Sequence, residues 1–252
     1  MSSSEDTFIS HLVELRDRLL RAIVAVLIVF VALFYWASDI YTLLAQPLLA
    51  SLPADGKMIA TDVVGVFLVP VKVTLLVAFL VCLPYVLYQM WAFVAPGLYA
   101  HEKRLVLPLV VTSSVLFFCG MAFAYFVVFP SVFRFMAAIA PQGVAWMTDI
   151  EKYFSFVLTM FIAFGVTFET PVAVVLLARM GIVSVEKLKQ GRPYVIVGAF
   201  VAGAIFTPPD VLSQLLLAIP LCLLYEVGVR IAAILGPKVD PAAAGPTSGE
   251  EV

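Results

Sequence analysis

The sequence predicts an all-α polytopic membrane protein with six transmembrane helices. Its composition is the first reason: 63% of the 252 residues are hydrophobic and 13% are charged, whereas soluble domains carry about 25% charged residues. The second is a mean hydropathy of +1.09. The third is the position of the charges, which cluster in short segments between long apolar runs. An ordinary soluble domain is therefore excluded.

Six mostly uncharged runs have the composition of membrane spans. Their approximate bounds are 22–37, 70–94, 105–128, 153–178, 194–206 and 211–227. We expect the last two spans to be short, because a helix over residues 194–206 rises only about 20 Å against a hydrocarbon core of about 30 Å. Two short spans side by side predict a locally thinned bilayer or a re-entrant hairpin.

Between the spans, residues 39–69 and 129–152 contain too many charges and turn-forming residues to cross a membrane. Pro47 is predicted to mark a turn in the first of these segments, and Pro84 is predicted to kink the second span. Residues 1–235 should form a single six-span membrane domain. The remainder, 236–252, is rich in Ala, Pro, Gly and Ser and is predicted to be a disordered cytoplasmic tail.

Residues 8–21 have the periodicity of an amphipathic helix, which we expect to lie at the membrane interface before the chain turns into the first span. Glu14 lies near the middle of the charged face. Arg16 falls on the apolar side, so we expect it to have a partner. A cleavable signal peptide is the competing interpretation, but the stretch carries acidic groups and no small-residue cleavage site follows the apolar run.

A short polar break from Trp91 to Arg104 separates the second and third spans. Pro96 and Gly97 end the helix that arrives there. Glu102 then precedes the third span, where the positive end of the helix dipole favours a carboxylate. From the residues alone two explanations of the carboxylates stay open: a ligand site, or a structural role in which Glu14 pairs with Arg18 one turn later and Glu102 is a helix cap.

Lysine and arginine are distributed unevenly between the two sides of the predicted membrane. Eleven of the 15 fall in the N-terminal segment, the 95–104 loop, the 179–193 loop and the C-terminal tail. The others are Lys57, Lys72, Arg134 and Lys152. By the positive-inside rule, both termini are predicted to be cytoplasmic.

Several strings, in order along the chain, resemble the TatC family, the receptor subunit of the twin-arginine protein translocase. They are HLVELR at 11–16, YQMWAFVAPGLY at 88–99, HEKR at 101–104, GMAFAYFVVFP at 120–130 and FTPPD at 206–210. The resemblance covers about residues 8 to 230. It is specific because long strings recur in the right order, whereas any single one would be weak.

The resemblance implies a concave, glove-like bundle in the prokaryotic inner membrane. It implies that the cytoplasmic N-terminus and first loop bind twin-arginine signal peptides of folded precursors. It also implies TatA- and TatB-like single-span partners, a homo-oligomer within a larger complex, and export driven by the proton gradient.

The resemblance places the signal-peptide site at Glu14, Arg16, Phe93, Leu98 and Glu102. Two carboxylates suit a pair of arginines, because a guanidinium is always charged and donates forked hydrogen bonds. The phenylalanine and leucine would offer an apolar surface to the residues that follow the pair.

Partner docking is expected at the junction of the last two spans. There Thr207 and Gln214 flank a turn formed by Pro208, Pro209 and Asp210. Polar groups near a thin edge can hydrogen-bond an incoming helix, and the resemblance places TatA and TatB contacts in this region. The open alternative is that the two polar residues only satisfy the turn.

Glu169 lies inside the fourth span. Because a charge facing hydrocarbon is costly, we expect it to face the interior of the bundle, with Pro171 opening the helix beside it. An ion- or proton-coupled secondary transporter using this carboxylate is the alternative function. No internal repeat relates the two halves of the sequence, as it does in many transporters.

An enzymatic function is not expected. The two histidines, His11 and His101, lie outside the spans, and neither belongs to a zinc-protease motif. Cys82, Cys119 and Cys222 fall in apolar runs, which favours packing over a disulfide framework. No cofactor, metal ion or nucleic acid is predicted to bind.

Overall fold

The computed structural model describes residues 2–49, 58–94, 106–139, 147–208 and 210–235. This part of the chain is helical throughout, apart from short connections and one isolated β-bridge. The helices are α1 (Ser2–Leu33), α2 (Ala37–Leu49), α3 (Gly65–Val81), α4 (Leu83–Val94), α5 (Val106–Phe123), α6 (Phe129–Ile139), α7 (Ile150–Phe168), α8 (Thr170–Arg179), α9 (Val185–Gln190), α10 (Arg192–Phe206) and α11 (Val211–Leu235). The predicted all-α class is confirmed. The proposed tail, 236–252, lies outside the described residues.

Four helical stretches are long and apolar enough to cross a membrane: Leu12–Gln46, Leu107–Ile139, Ile150–Arg179 and Val211–Leu235. The helices α3 and α4 together qualify as a fifth span, bent by 58°. The remaining apolar helix, α10, has 15 residues, so this predicted span is short, as expected.

The N-terminal amphipathic stretch does not turn before it enters the first span, which corrects the sequence-based expectation. Helix α1 runs unbroken from Ser2 to Leu33, and a 3₁₀ turn, Phe34–Trp36, joins it to α2. The physical reason is local: residues 2–33 contain no proline or glycine, so nothing interrupts the backbone hydrogen bonds.

The second span is broken where proline predicted a kink. Helix α3 ends at Val81 and α4 begins at Leu83, with Pro84 in its first turn. Proline has no amide hydrogen and therefore leaves the carbonyl four residues earlier, on Leu80, without its helical donor. The backbone N–H of Cys82 completes the last helical hydrogen bond of α3, to the Ala78 carbonyl at 3.1 Å.

Pro47 does not form a turn, contrary to the expectation, but lies inside α2 two residues before its end. Its missing amide frees the carbonyl oxygen of Leu43, four residues earlier. The Tyr125 hydroxyl donates to that oxygen at 3.4 Å, and the Tyr153 hydroxyl donates to the carbonyl of Leu44 at 3.0 Å. External donors therefore let the helix continue past the proline.

The last helix is longer than the sequence suggested. Helix α11 has 25 residues and continues through Glu226 and Arg230 to Leu235, so the expectation of a second short helix is wrong. The charges do not end the helix, because the carboxylate of Glu226 is paired both with Arg230 one turn on and with Arg192 at the start of α10.

Residues 58–65 are fastened to the start of α7. Ile59 forms a parallel β-bridge with Asp149, and its backbone exchanges hydrogen bonds with Thr148 and Ile150 at 3.0 and 2.9 Å. The Thr61 hydroxyl donates to the Asp149 carboxylate, which lowers the pKa of that carboxyl to about 2. Asp149 also caps α7, so one ionised side chain joins the connecting segment to the helix.

Helices α5 and α7 pack in unusually close antiparallel contact. A Cβ atom at Gly120 would overlap the Phe164 carbonyl oxygen, and one at Gly165 would overlap the ring of Phe117. Small residues of this kind let helix backbones approach each other in membranes. The largest buried cluster, which includes Phe129, Phe154 and Phe164, lies beside this contact.

We expect Gly120→Ala to destabilise the protein by about 1–3 kcal/mol, the usual cost of overpacking, despite the higher helix propensity of alanine. Thermal unfolding in detergent measures the change. Gly198→Ala in α10 is the matched control: nothing lies within 4 Å of its added Cβ, so it should be neutral or stabilising by up to about 1 kcal/mol. Equal stability of the two variants would contradict the close contact.

Candidate functional site

Glu14 is bound to an arginine of its own helix. The Nε and Nη2 atoms of Arg18 donate to the same carboxylate oxygen, Oε1, at 2.9 and 2.6 Å. The side chain of Glu14 is 38% exposed and that of Arg18 is 23% exposed. The i,i+4 pairing that the sequence left open as a structural alternative is therefore present, on a carboxylate that solvent still reaches.

Arg18 also reaches the neighbouring helix α4. Its Nη1 atom lies 3.4 Å from Oε1 of Gln89, and the Nε2 atom of Gln89 donates to the Tyr85 hydroxyl at 2.7 Å. Gln89 is only 6% exposed. This polar chain joins the charged face of α1 to α4, the helix that also carries Phe93.

The other proposed signal-site residues are only partly described. Arg16 is paired with the adjacent Asp17 at 2.8 Å, and its side chain is 66% exposed. Phe93 is half-buried near the end of α4. Leu98 and Glu102 lie outside the described residues, so the structure does not address their distance from Glu14, and the five-residue site stays a prediction.

Glu169 lies at the junction between α7 and α8, where Pro171 opens the helix. Both of its carboxylate oxygens are buried, and the Ser113 hydroxyl on α5 is the hydrogen-bonding group that faces them. Pro171 frees the carbonyl of Thr167, which accepts a hydrogen bond from the Thr170 hydroxyl at 2.6 Å. The break thus satisfies its backbone, whereas no cation among the described residues pairs with the carboxylate.

A tryptophan and a serine continue this polar region into α4 and α5. The antiparallel packing of α5 on α7 places Ser113 opposite Glu169. The indole N–H of Trp91 donates to the Ser113 hydroxyl oxygen at 3.1 Å, and both side chains are buried. Because the hydroxyl already accepts from the indole, its own hydrogen is oriented away from the tryptophan.

The proposed docking residues bond within the hairpin of α10 and α11. The Thr207 hydroxyl donates to the Gly203 carbonyl at 2.7 Å, and Thr207 is 7% exposed. The amide of Gln214 donates to the Phe200 carbonyl at 2.9 Å. Asp210 caps α11 by accepting from the Ser213 amide at 2.7 Å. Their docking role stays a prediction.

The turn itself is described on either side of Pro209, which lies outside the described residues. The backbone N–H of Asp210 donates a hydrogen bond to the carbonyl oxygen of Pro208 at 2.7 Å. Helix α10 ends at Phe206 and α11 begins at Val211. The chain thus reverses within this short segment, where the sequence predicted it.

Sequence reasoning missed Gln89, Trp91 and Glu226. The signal for Gln89 was available, because it is an amide inside an otherwise apolar run and follows Tyr85 by one helical turn. Its contact with Arg18, 71 positions away in the sequence, was not predictable from local pattern. In the described part of the chain, no group of three or more His, Cys, Asp or Glu side chains could hold a metal ion.

We expect Glu169→Gln to raise the thermal stability of the detergent-solubilised protein by at least about 1 kcal/mol, because it removes a buried carboxylate that no cation among the described residues compensates. Glu151→Gln is the control, since Glu151 lies at the other end of the same membrane stretch and is paired with Lys72 at 2.7 Å. It should lower stability by about 0–1 kcal/mol. A larger loss from Glu169→Gln than from Glu151→Gln would contradict the observed burial.

Comparison with known proteins gives the same result at three levels. The family model described as Sec-independent protein translocase protein (TatC) matches residues 10–220. The protein of that name from Azotobacter chroococcum mcd 1 is 55% identical over 247 residues, covering 98% of this chain and 97% of the relative. The one from Escherichia coli (strain K12) is 58% identical over 229 residues, covering 90% and 89%.

A solved structure has the same fold. The crystal structure described as the twin arginine translocase receptor TatC superimposes with a TM-score of 0.79 at 39% sequence identity, covering 89% of this chain and 98% of that one. With the helical architecture, the family match and these identities taken together, the chain belongs to the TatC family of Sec-independent protein translocase proteins.

Proposed function

We propose that this chain is the receptor subunit of a twin-arginine translocase. It binds the twin-arginine signal peptides of folded precursors on the cytoplasmic side of the prokaryotic inner membrane. It also organises TatA- and TatB-like subunits for export driven by the proton gradient. Family membership supports this role, and the observation that carries the recognition step is the exposed carboxylate of Glu14, which already binds a guanidinium.

The recognition site combines Glu14 on α1 with Glu102 in the segment that follows α4. Each carboxylate receives one arginine of the pair. A charge-assisted hydrogen bond contributes about 1.5–3 kcal/mol, so two such contacts select a short peptide without a deep pocket. Arg16 lies beside the site, and Phe93 and Leu98 provide the apolar surface for the residues after the pair.

We expect Glu14→Gln and Glu102→Gln each to weaken binding of a labelled twin-arginine precursor by at least about tenfold, since each loses a charge-assisted contact of roughly 1.5–3 kcal/mol. Glu102→Asp should bind better than Glu102→Gln because it keeps the charge. Crosslinking of the precursor to detergent-solubilised receptor measures the effect. Assembly with the TatB-like subunit should be unchanged.

The control for this experiment is Glu186→Gln in the 179–193 loop, where the carboxylate is exposed at the start of α9. Normal binding by both Glu14→Gln and Glu102→Gln, with loss of binding by Glu186→Gln, would move the recognition site to that loop.

Six spans with both termini in the cytoplasm are part of this proposal. Span one lies within α1, α3 and α4 form one bent span, and α10 crosses as a short helix. The charge distribution supports this orientation, because most lysines and arginines then face the cytoplasm.

A reporter enzyme that is active only outside the cytoplasm should be active when fused near Asp55 or Gln142 and inactive near Lys189 or at Val252. The reason is that an odd number of spans separates the two groups of fusion points. Comparable expression of all four fusions, checked by immunoblotting, is the control. Activity at Lys189 would overturn the orientation.

Partner docking is proposed at the α10–α11 hairpin. Gln214 is half-buried and its hydrogen bond is to a backbone carbonyl of the adjacent short helix, so a partner's polar group can compete for it at modest cost. The single-span helices of TatA- and TatB-like subunits are the proposed occupants, within a complex that contains several copies of this chain.

We expect a cysteine at Gln214 to crosslink to a TatA- or TatB-like helix, in a background where Cys82, Cys119 and Cys222 are replaced by serine. The reason is its position on the edge that a polar group of the partner helix would approach. Val31→Cys is the control, because it is 71% exposed on α1 but carries no polar group to recognise. Crosslinking at Val31 alone would show that the docking edge is wrongly assigned.

Glu169 is proposed to hold a polar path for cargo or a partner helix inside the concave face. No observation favours the ion-coupled transporter, and the relatives described above are protein translocase components.

A further inference from the structure

The carboxylate proposed to bind the signal peptide is occupied in the free receptor. Two N–H groups of Arg18 converge on Oε1 of Glu14, which is the contact that an incoming arginine would make. We propose that Arg18 is an internal competitor at this site and lowers its affinity, because a ligand must replace its guanidinium to bind Glu14 with both hydrogen bonds. This inference rests on the proposed function, since it concerns the same recognition step.

The geometry provides a starting point for the exchange. Both Arg18 donors use Oε1, and Oε2 of Glu14 has no hydrogen-bond partner among the described residues. An incoming guanidinium can therefore contact Oε2 first and complete its pair of hydrogen bonds as Arg18 withdraws. A carboxylate accepts up to about four hydrogen bonds, so the two arginines can share it during the exchange.

The structure also contains an acceptor for the displaced arginine. Oε1 of Gln89 lies 3.4 Å from Nη1 of Arg18, which is a long hydrogen bond and would shorten if the guanidinium moved away from Glu14. The Tyr85 hydroxyl accepts from Nε2 of Gln89 and so fixes the amide with its oxygen towards Arg18. The charge of Arg18 then remains hydrogen-bonded after displacement.

Arg18 weakens every cationic ligand of Glu14 by the same amount, which is the cost of breaking its own forked contact. Because that cost is common to arginine and lysine ligands, it cancels from the ratio of their affinities. Selectivity then depends on the ligand contacts alone: an arginine reproduces the two converging N–H groups that it displaces, whereas an ammonium group is a point charge without a planar fork. Competition by Arg18 therefore sets the affinity of the site and not its preference for arginine.

The test uses the full-length receptor in lipid nanodiscs and two fluorescent signal peptides, one with the arginine pair and one with lysines in its place. For Arg18→Gln we expect tighter binding of both peptides. The gain should be about twofold for each peptide, which is the advantage of an i,i+4 ion pair. The ratio of the two dissociation constants should be unchanged, because the displacement cost is common to both peptides.

Two substitutions at Gln89 have opposite expected effects. Gln89→Glu adds a charge that draws Arg18 away from Glu14, so it should also tighten binding of both peptides. Gln89→Leu removes the acceptor for the displaced arginine and should weaken binding of both peptides. Arg18→Lys is the conservative control: it keeps the charge but lacks the fork, so both dissociation constants should lie between those of the parent and Arg18→Gln.

The outcomes separate this inference from the proposed function. If Glu14→Gln binds both peptides like the parent, the proposed recognition contact fails and the role of Arg18 fails with it. If Glu14→Gln loses binding but Arg18→Gln binds no more tightly than the parent, the recognition contact stands and Arg18 only attaches α1 to α4. Tighter binding of both peptides by Arg18→Gln and by Gln89→Glu supports the inference.

Discussion

The constraint on which this structure depends is that a backbone carbonyl in the membrane must find a donor within the protein. Pro47 and Pro171 each remove such a donor. The replacement comes from the Tyr125 hydroxyl at Pro47 and from the Thr170 hydroxyl at Pro171, whereas at Pro84 the helix bends. Such donors let the chain stay helical beside the proline, and the junction at Pro171 also accommodates the polar side chain of Glu169.

The first helix is fastened to the bundle differently from the others. Among its described side chains only Ala22 is buried, and its backbone accepts a hydrogen bond from the Cys82 thiol at Ala25. The Arg18 contact with Gln89 is the polar attachment near the cytoplasmic end in the proposed orientation. Recognition at Glu14 and attachment of α1 to α4 therefore share one guanidinium, and the direction in which the affinity changes when Arg18 is removed distinguishes the two roles.

Much of the fold was predictable because it follows from local rules. Charge and hydropathy set the apolar runs, and Pro84 and Pro171 marked two breaks. The turn predicted at Pro47 was wrong, because the effect of this proline depends on whether a tyrosine outside α2 reaches the Leu43 carbonyl. Such long-range contacts leave no local pattern in the sequence. The extension of α11 was missed for the same reason, since Glu226 pairs with Arg192, 34 positions earlier.

The candidate site was only partly predictable. Spacing alone indicated that Glu14 and Arg18 could pair, but it could not show that Gln89 would lie beside them or that Tyr85 would orient its amide. The recognition residues themselves came from the family resemblance. From local pattern, a carboxylate on a helix face can be either a ligand group or half of an ion pair. In this structure Glu14 forms the ion pair with Arg18.

The close contact between α5 and α7 limits how this chain can change shape. With Gly120 lying against the Phe164 carbonyl and Gly165 against Phe117, the two helices behave as one rigid wall, because sliding either one would drive a ring into a backbone. A passage wide enough for a folded protein cannot be opened by parting that wall. We expect the movable boundaries to be the lightly covered α1 and the short α10, so that neighbouring molecules supply the rest of any channel.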